Sequence, residues 1–229
     1  MDEITFNACT NSHTCSGNGN MDLTQTNRSP YTYLALGDSY TIGESVLAKE
    51  SFPYQLVAEL TKAGYPISQP EIIATTGWTT DELINAINTS DTKDKKYDMV
   101  TLLIGVNNQY RGYNQETYRA EFIQLLNTAI AHANGNKNHV FVLSIPDWGV
   151  TTYAAGRDRS QIAREIDQFN VINKQESGKA GVAYIDITPI SKQAANDPSL
   201  NADDGLHPSA KMYGLWVKEL LPVIQKRLK

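Results

Sequence analysis

Four short clusters in this chain carry residue types that perform acyl transfer. Gly37-Asp38-Ser39 supplies a hydroxyl, and Asp204-Gly205-Leu206-His207 supplies an imidazole with a carboxylate three residues before it. Gly77 and Gly105-Val106-Asn107 supply amide donors. A serine hydroxyl alone is a weak nucleophile, so it needs a base that a third group holds in place. Among the four histidines, His13 lies in a polar stretch near the beginning, and His132 and His139 flank an expected helix-to-strand turn. Only His207 has a carboxylate three residues earlier, a spacing that on a tight loop lets Asp204 bond one ring nitrogen and fix the tautomer. Asp203 is the rival for that role. When Ser39 attacks a carbonyl, an oxyanion develops, and preorganised donors are worth about 3 kcal/mol each. The expected donors are the Ser39 N–H, the Gly77 N–H, where a side chain would crowd the substrate, and the Asn107 side-chain amide.

These clusters work together only if the fold brings them to one place. From Tyr31 onward, β-rich runs alternate with longer segments of helical period, the pattern of parallel strands joined by crossover helices. Strands are expected at Thr32 to Leu36, Glu71 to Ala74, Met99 to Ile104, His139 to Ile145 and Val182 to Ile187. Helices are expected at Ser51 to Ala63, with a cap at Ser51 and a stop at Gly64, and at Thr79 to Ile87, Gln115 to Ala133 and Ser160 to Gly178. A last helix runs from Ser209 to Leu228, where Pro222 is expected to kink or divide it. Runs such as Val-Thr-Leu-Leu-Ile are nearly continuous in apolar residues, as in a parallel sheet covered on both faces. The expected fold is therefore α/β: a three-layer α/β/α sandwich around a doubly wound, five-stranded parallel sheet of flavodoxin-like kind. In such sheets ligands bind beyond the carboxyl ends of the strands, and all four clusters follow expected strands there.

Composition removes several alternatives. The chain has 229 residues, enough for one full core, and no compositional break divides it. A formal net charge of -5 with scattered basic residues argues against nucleic-acid binding. No run approaches the roughly 18 apolar residues that span a bilayer. From Thr10 to Pro30 the chain is dominated by Asn, Ser, Thr and Gly without hydrophobic period, and residues 1–30 read as a flexible tether before a catalytic domain at 31–229. Cys9 and Cys15 both lie in that tether, where they form a small local disulfide or mark a processed exported terminus. Phe6-Asn7-Ala8-Cys9 loosely resembles the end of a bacterial lipoprotein signal, without the charged and apolar regions that precede one. A bacterial exported, periplasmic or lipid-anchored location is slightly favoured, and a cytoplasmic one stays open.

Each cluster alone has a plain structural reading as a turn or a helix cap. Together, and in this order, they resemble the SGNH hydrolase family, also called the GDSL family, over about Tyr31 to Leu228. The first block is Leu36-Gly37-Asp38-Ser39-Tyr40-Thr41, the second Gly77, the third Gly105-x-Asn107 and the fifth Asp204-x-x-His207. The one departure is Tyr40, where many members have Leu, and it is not expected to touch the mechanism. The resemblance implies a Ser39-His207-Asp204 triad, an oxyanion hole, no metal or organic cofactor, and small carboxylic esters as substrates. Acylated carbohydrates and lysolipids are the named possibilities. Acyl transfer to a sugar hydroxyl, lysophospholipase or thioesterase activity, and noncatalytic carbohydrate binding on the same scaffold are the alternatives. Trp78, Tyr110, Trp148 and Tyr153, with Arg111, lie in loops beyond the strands, where they either line a substrate pocket or cover the sheet edge. Nothing in the sequence brings Glu44 near the serine. Oligomeric state is not legible.

Overall fold

A computed structural model describes residues 29 to 228. Cys9, Cys15 and all of the expected tether except Ser29 and Pro30, both exposed, lie outside the described residues. The chain runs β1 (Tyr33–Gly37), α1 (Ser39–Ile42), α2 (Phe52–Lys62), β2 (Glu71–Ala74), α3 (Thr80–Thr89), β3 (Met99–Leu103), α4 (Val106–Tyr110) and α5 (Gln115–His132). It continues through β4 (Val140–Leu143), α6 (Arg159–Ala180), β5 (Ala183–Ile185), α7 (Thr188–Ser191) and α8 (Ala210–Arg227). The five strands form one parallel sheet in the order β2-β1-β3-β4-β5, the flavodoxin-like arrangement.

Every residue of β1, β3 and β4 is buried, which is why these strands read as unbroken apolar runs. The outer strand β2 has only Ile73 buried. Helices α2 and α8 pack on each other, while α3, α5 and α6 pack in series, giving the two outer layers of the sandwich. Leu56 and Leu60 of α2 and Trp216 and Leu220 of α8 are fully buried between sheet and helices. At about 25 cal/mol per Å² of apolar area removed from water, such contacts dominate the stabilisation.

The structure narrows two expectations about α2 and α8. Ser51 occupies the N-cap position of α2, yet its hydroxyl donates to the Ala48 carbonyl instead of accepting from the helix. Pro222 does not divide α8, which continues through it to Arg227. The helix survives because its apolar face is anchored on both sides of the proline, by Leu220 and Ile224, both fully buried.

The strand register decides where the chemistry can sit. Gly37 at the end of β1 pairs with Ala74, the end of β2, and with Leu103, the end of β3. The residues that follow these three strands therefore leave the sheet at one level.

Candidate active site

The turn after β1 is built around a close approach. A Cβ on Gly37 would meet Thr41 Oγ1 at 2.1 Å and the Leu103 carbonyl at 2.4 Å, so only glycine lets the chain fold straight from β1 into α1. Asp38 is the N-cap of α1, accepting from the Tyr40 N–H at 3.0 Å. Ser39 is then the first helical residue, whose N–H has no acceptor within the helix.

The second loop is held from three sides. Arg111 Nη2 donates to the Gly77 carbonyl at 2.6 Å, Asn107 Nδ2 donates to the Trp78 carbonyl at 2.9 Å, and the Thr76 hydroxyl donates to Glu44. Gly77 has φ +86°, and a Cβ there would meet only the Arg111 guanidinium, at 3.6 Å. Glycine is required by this left-handed backbone, and no crowding inside the protein adds to that requirement. Among the described residues the Gly77 N–H, like that of Ser39, donates to no protein acceptor.

Three successive amides of α4 bolt the neighbouring loops together. Asn107 holds the Gly77 loop with one of its two Nδ2 hydrogens and keeps the other. Asn108, fully buried, bonds both the backbone and the hydroxyl of Thr80 at the start of α3. Gln109 accepts from Trp148 Nε1 at 2.8 Å and donates to Glu165 of α6 at 2.7 Å.

In the loop before α8 the two oxygens of Asp204 divide their work. Oδ1 accepts the backbone N–H groups of Leu206 and His207, both at 2.9 Å. Oδ2 lies 2.5 Å from His207 Nδ1 and accepts from the Ser45 hydroxyl at 2.6 Å. Asp203, the rival, is exposed and makes no bond to the imidazole. Partial burial pushes the Asp204 carboxyl up, but the hydroxyl, ring and backbone donors together outweigh it and hold the group well below the usual carboxylate range. Helix capping is the work of Ser209, whose hydroxyl accepts from the Met212 N–H, so Asp204 and His207 are not needed for it.

Ser39, Gly77, Asn107 and His207 all line one cavity of about 130 Å³, with Tyr110, Trp148 and Tyr153 on its wall. Trp78 is not on that wall. It packs half-buried against the core and contributes its carbonyl to the Asn107 bond. Glu44 reaches the rim through Thr76, a cavity residue. Tyr40 is not remote either, since its ring packs edge-on against His207 with centroids 5.7 Å apart. No hydrogen bond joins Ser39 to His207 directly; such bonds are commonly long without substrate and tighten in the Michaelis complex.

The model of the family described as GDSL-like lipase/acylhydrolase matches residues 35–215, well over half of the chain. The chain belongs to the GDSL-like lipase/acylhydrolase family. Solved structures agree with this at the level of fold. The crystal structure of TesA superposes with a TM-score of 0.67 at 17% identity, covering 86% of this chain and 99% of that one. A psychrotrophic esterase, EstA from Pseudoalteromonas sp., gives 0.65 at 18% identity, covering 86% and 97%. Axe2, an acetylxylan esterase from Geobacillus stearothermophilus, gives 0.65 at 21% identity, covering 86% and 94%. No curated protein matches the sequence significantly.

Beside the serine, this GDSL-like chain buries a carboxylate. Asp38 is fully buried, its Oδ2 has no partner, and burial pushes its pKa up to about 7 against the opposing Tyr40 N–H bond. The folded state thus keeps a proton that the unfolded chain releases from about pH 4 upward. The Asp38 contribution to stability therefore falls as pH rises between about 4 and 7, then levels off. Asp38→Asn keeps an acceptor for the Tyr40 N–H and removes the buried charge. Thermal melts should place this variant above wild type at about pH 8, with the gap closing toward about pH 4. Each kcal/mol would separate the melting temperatures by about 2–4 °C in a domain of this size. A gap that does not change with pH would contradict ionisation of Asp38 within the fold. Among the described residues no group of three or more His, Cys, Asp or Glu side chains could hold a metal ion, and no helix is long and apolar enough to cross a membrane.

Proposed function

We propose that residues 31–229 form a serine esterase that hydrolyses small carboxylic esters, with acetyl or other short acyl groups, through Ser39, His207 and Asp204. One observation carries this reading: a hydroxyl, an imidazole bonded to a carboxylate, and unpaired amide donors share a cavity of only about 130 Å³. In the reaction, His207 Nε2 takes the Ser39 proton as Oγ attacks the ester carbonyl. Asp204 Oδ2 keeps Nδ1 protonated and stabilises the imidazolium. The oxyanion rests on the Ser39 and Gly77 N–H groups and on the free Asn107 Nδ2 hydrogen. His207 then protonates the departing alcohol, and a water molecule that it activates hydrolyses the acyl-enzyme.

Size argues for short acyl groups, because the cavity is smaller than the roughly 300–1,000 Å³ of clefts that take drug-sized ligands. That one structural neighbour is an acetylxylan esterase supports acetylated sugars as the first substrates to try. A panel of para-nitrophenyl esters from acetate to dodecanoate, run beside acetylated sugars, tests the proposal. The highest kcat/KM is expected for acetate to butyrate, with a burst of nitrophenol when deacylation is slower. A preference for dodecanoate would overturn the assignment of acyl size, and no turnover of any ester or sugar acetate would overturn the esterase.

A further inference from the structure

A cation stacked on the aromatic wall of the cavity has no part in the reaction above. Arg157 stands one residue before Asp158, the N-cap of α6. Its guanidinium carbon lies 5.1 Å from the ring centre of Tyr110, 5.3 Å from Trp148 and 5.5 Å from Tyr153. All three rings are cavity wall, and they pack edge-on, Tyr110 to Trp148 at 5.5 Å and Trp148 to Tyr153 at 6.1 Å. Arg157 Nη2 donates to the Tyr110 hydroxyl at 3.0 Å, and the Tyr110 and Tyr153 hydroxyls lie 3.3 Å apart. Three rings and a hydroxyl thus hold the guanidinium in place on that wall.

What it lacks is an anion. No carboxylate among the described residues pairs with Arg157, and its neighbour Asp158 is occupied in capping α6 through the Gln161 N–H at 2.8 Å. Of the other arginines near the site, Arg111 is consumed by the Gly77 carbonyl and by Glu82 at 3.3 Å, and Arg159 donates to the Thr151 carbonyl at 3.1 Å beneath the wall. Of the five guanidinium N–H donors of Arg157, one is used within the protein. The free donors form a planar fork suited to a carboxylate. One guanidinium stacked on this wall, in a chain of net charge -5, matches a monoanion better than a dianionic phosphate.

The segment beneath Arg157 also indicates which half of the ester it faces. The Tyr153 N–H and the Thr152 hydroxyl both donate to the Gly205 carbonyl, at 3.0 and 3.1 Å, tying this segment to the loop that carries His207. The imidazole must face the departing oxygen, so the segment borders the alcohol side. Resting on the esterase reading above, we infer that Arg157 is a specificity-determining residue of the alcohol subsite, favouring esters whose alcohol carries a carboxylate.

The test compares para-acetoxybenzoate with its methyl ester in wild type and Arg157→Gln. Ratios of variant to wild type cancel the different intrinsic reactivities of the two esters. Arg157→Gln should lower kcat/KM for the anionic ester about tenfold, mainly through KM, and leave the methyl ester within about twofold. In wild type, about 1 M NaCl should erode the anionic advantage, since the Debye length shrinks to about 3 Å, and the variant should show no such erosion. Equal losses on both esters would mean that Arg157 only props the aromatic wall, and no loss on either would mean that it recognises nothing; both results overturn the inference. A change confined to mono-para-nitrophenyl succinate relative to para-nitrophenyl butyrate would overturn it as well, by moving the subsite to the acyl side. Continued hydrolysis of the methyl ester by Arg157→Gln separates failure of this inference from failure of the esterase reading.

Discussion

Ser39→Ala should lower kcat for para-nitrophenyl acetate by about a million-fold, to the level that binding and the oxyanion donors sustain without a nucleophile. The fold should not notice the change. Ser39 Oγ enters no hydrogen bond among the described residues, so its removal orphans no partner. The residue is nearly buried, at 4% exposure, and the cap of α1 belongs to Asp38. Alanine also suits a first helical turn. A fluorophosphonate should therefore label wild type and not the variant, while circular dichroism melts of the two overlay. Wild-type turnover in the variant would remove Ser39 as nucleophile and with it the proposed mechanism.

Some of this arrangement was open to reading from the sequence, and the reasons differ by residue. The sheet was legible because β1, β3 and β4 are buried on both faces and so run unbroken in apolar residues. The expected ends of β3, β4 and β5 run one or two residues past the ladder, since residues such as Ile104 and Ile145 stay buried after it has stopped and carry the same apolar signal. The short helices α1, α4 and α7 have four or five residues each, too few to show a helical period. Gly37, Ser39, Gly77, Asn107 and His207 could be named because each follows a strand or sits in a short spaced pattern. Ser45, Asn108, Gln109 and Arg157 could not, because their partners are distant in the chain. The Ser45 bond to Asp204 spans 159 residues, and the Gln109 bond to Glu165 spans 56. No local pattern announces such pairs. A weak signal did exist for the amides: three polar side chains in a row, Asn107 to Gln109, are unusual directly after a buried strand.

The divided carboxylate of Asp204 allows function to be separated from folding by a change of one atom. In Asp204→Asn, the amide oxygen can keep the place of Oδ1 and accept from the Leu206 and His207 N–H groups, so the loop retains its internal bonds. The amide nitrogen then replaces Oδ2, facing His207 Nδ1 and the Ser45 hydroxyl. An NH₂ group there can only donate to the ring nitrogen, which forces the proton onto Nε2, the atom that must accept from Ser39. Loss of the correct tautomer should cost about ten-thousand-fold in kcat. KM should change little, because Asp204 does not line the cavity. Asp204→Ala should lose comparable activity but also melt lower, since two backbone donors lose their acceptor, each worth about 1–3 kcal/mol where burial is complete and less at this partly exposed loop. Stability measured against pH carries a further signature. The folded carboxyl titrates below its unfolded value, so its stabilising contribution is present above about pH 4 and is lost as pH falls through the folded value. Wild type should therefore lose its advantage over Asp204→Asn on acidification, in the direction opposite to the pH trend expected for Asp38→Asn. If Asp204→Asn keeps near wild-type kcat, the carboxylate does not set the tautomer of His207, and Asp204 belongs to the loop rather than to the triad.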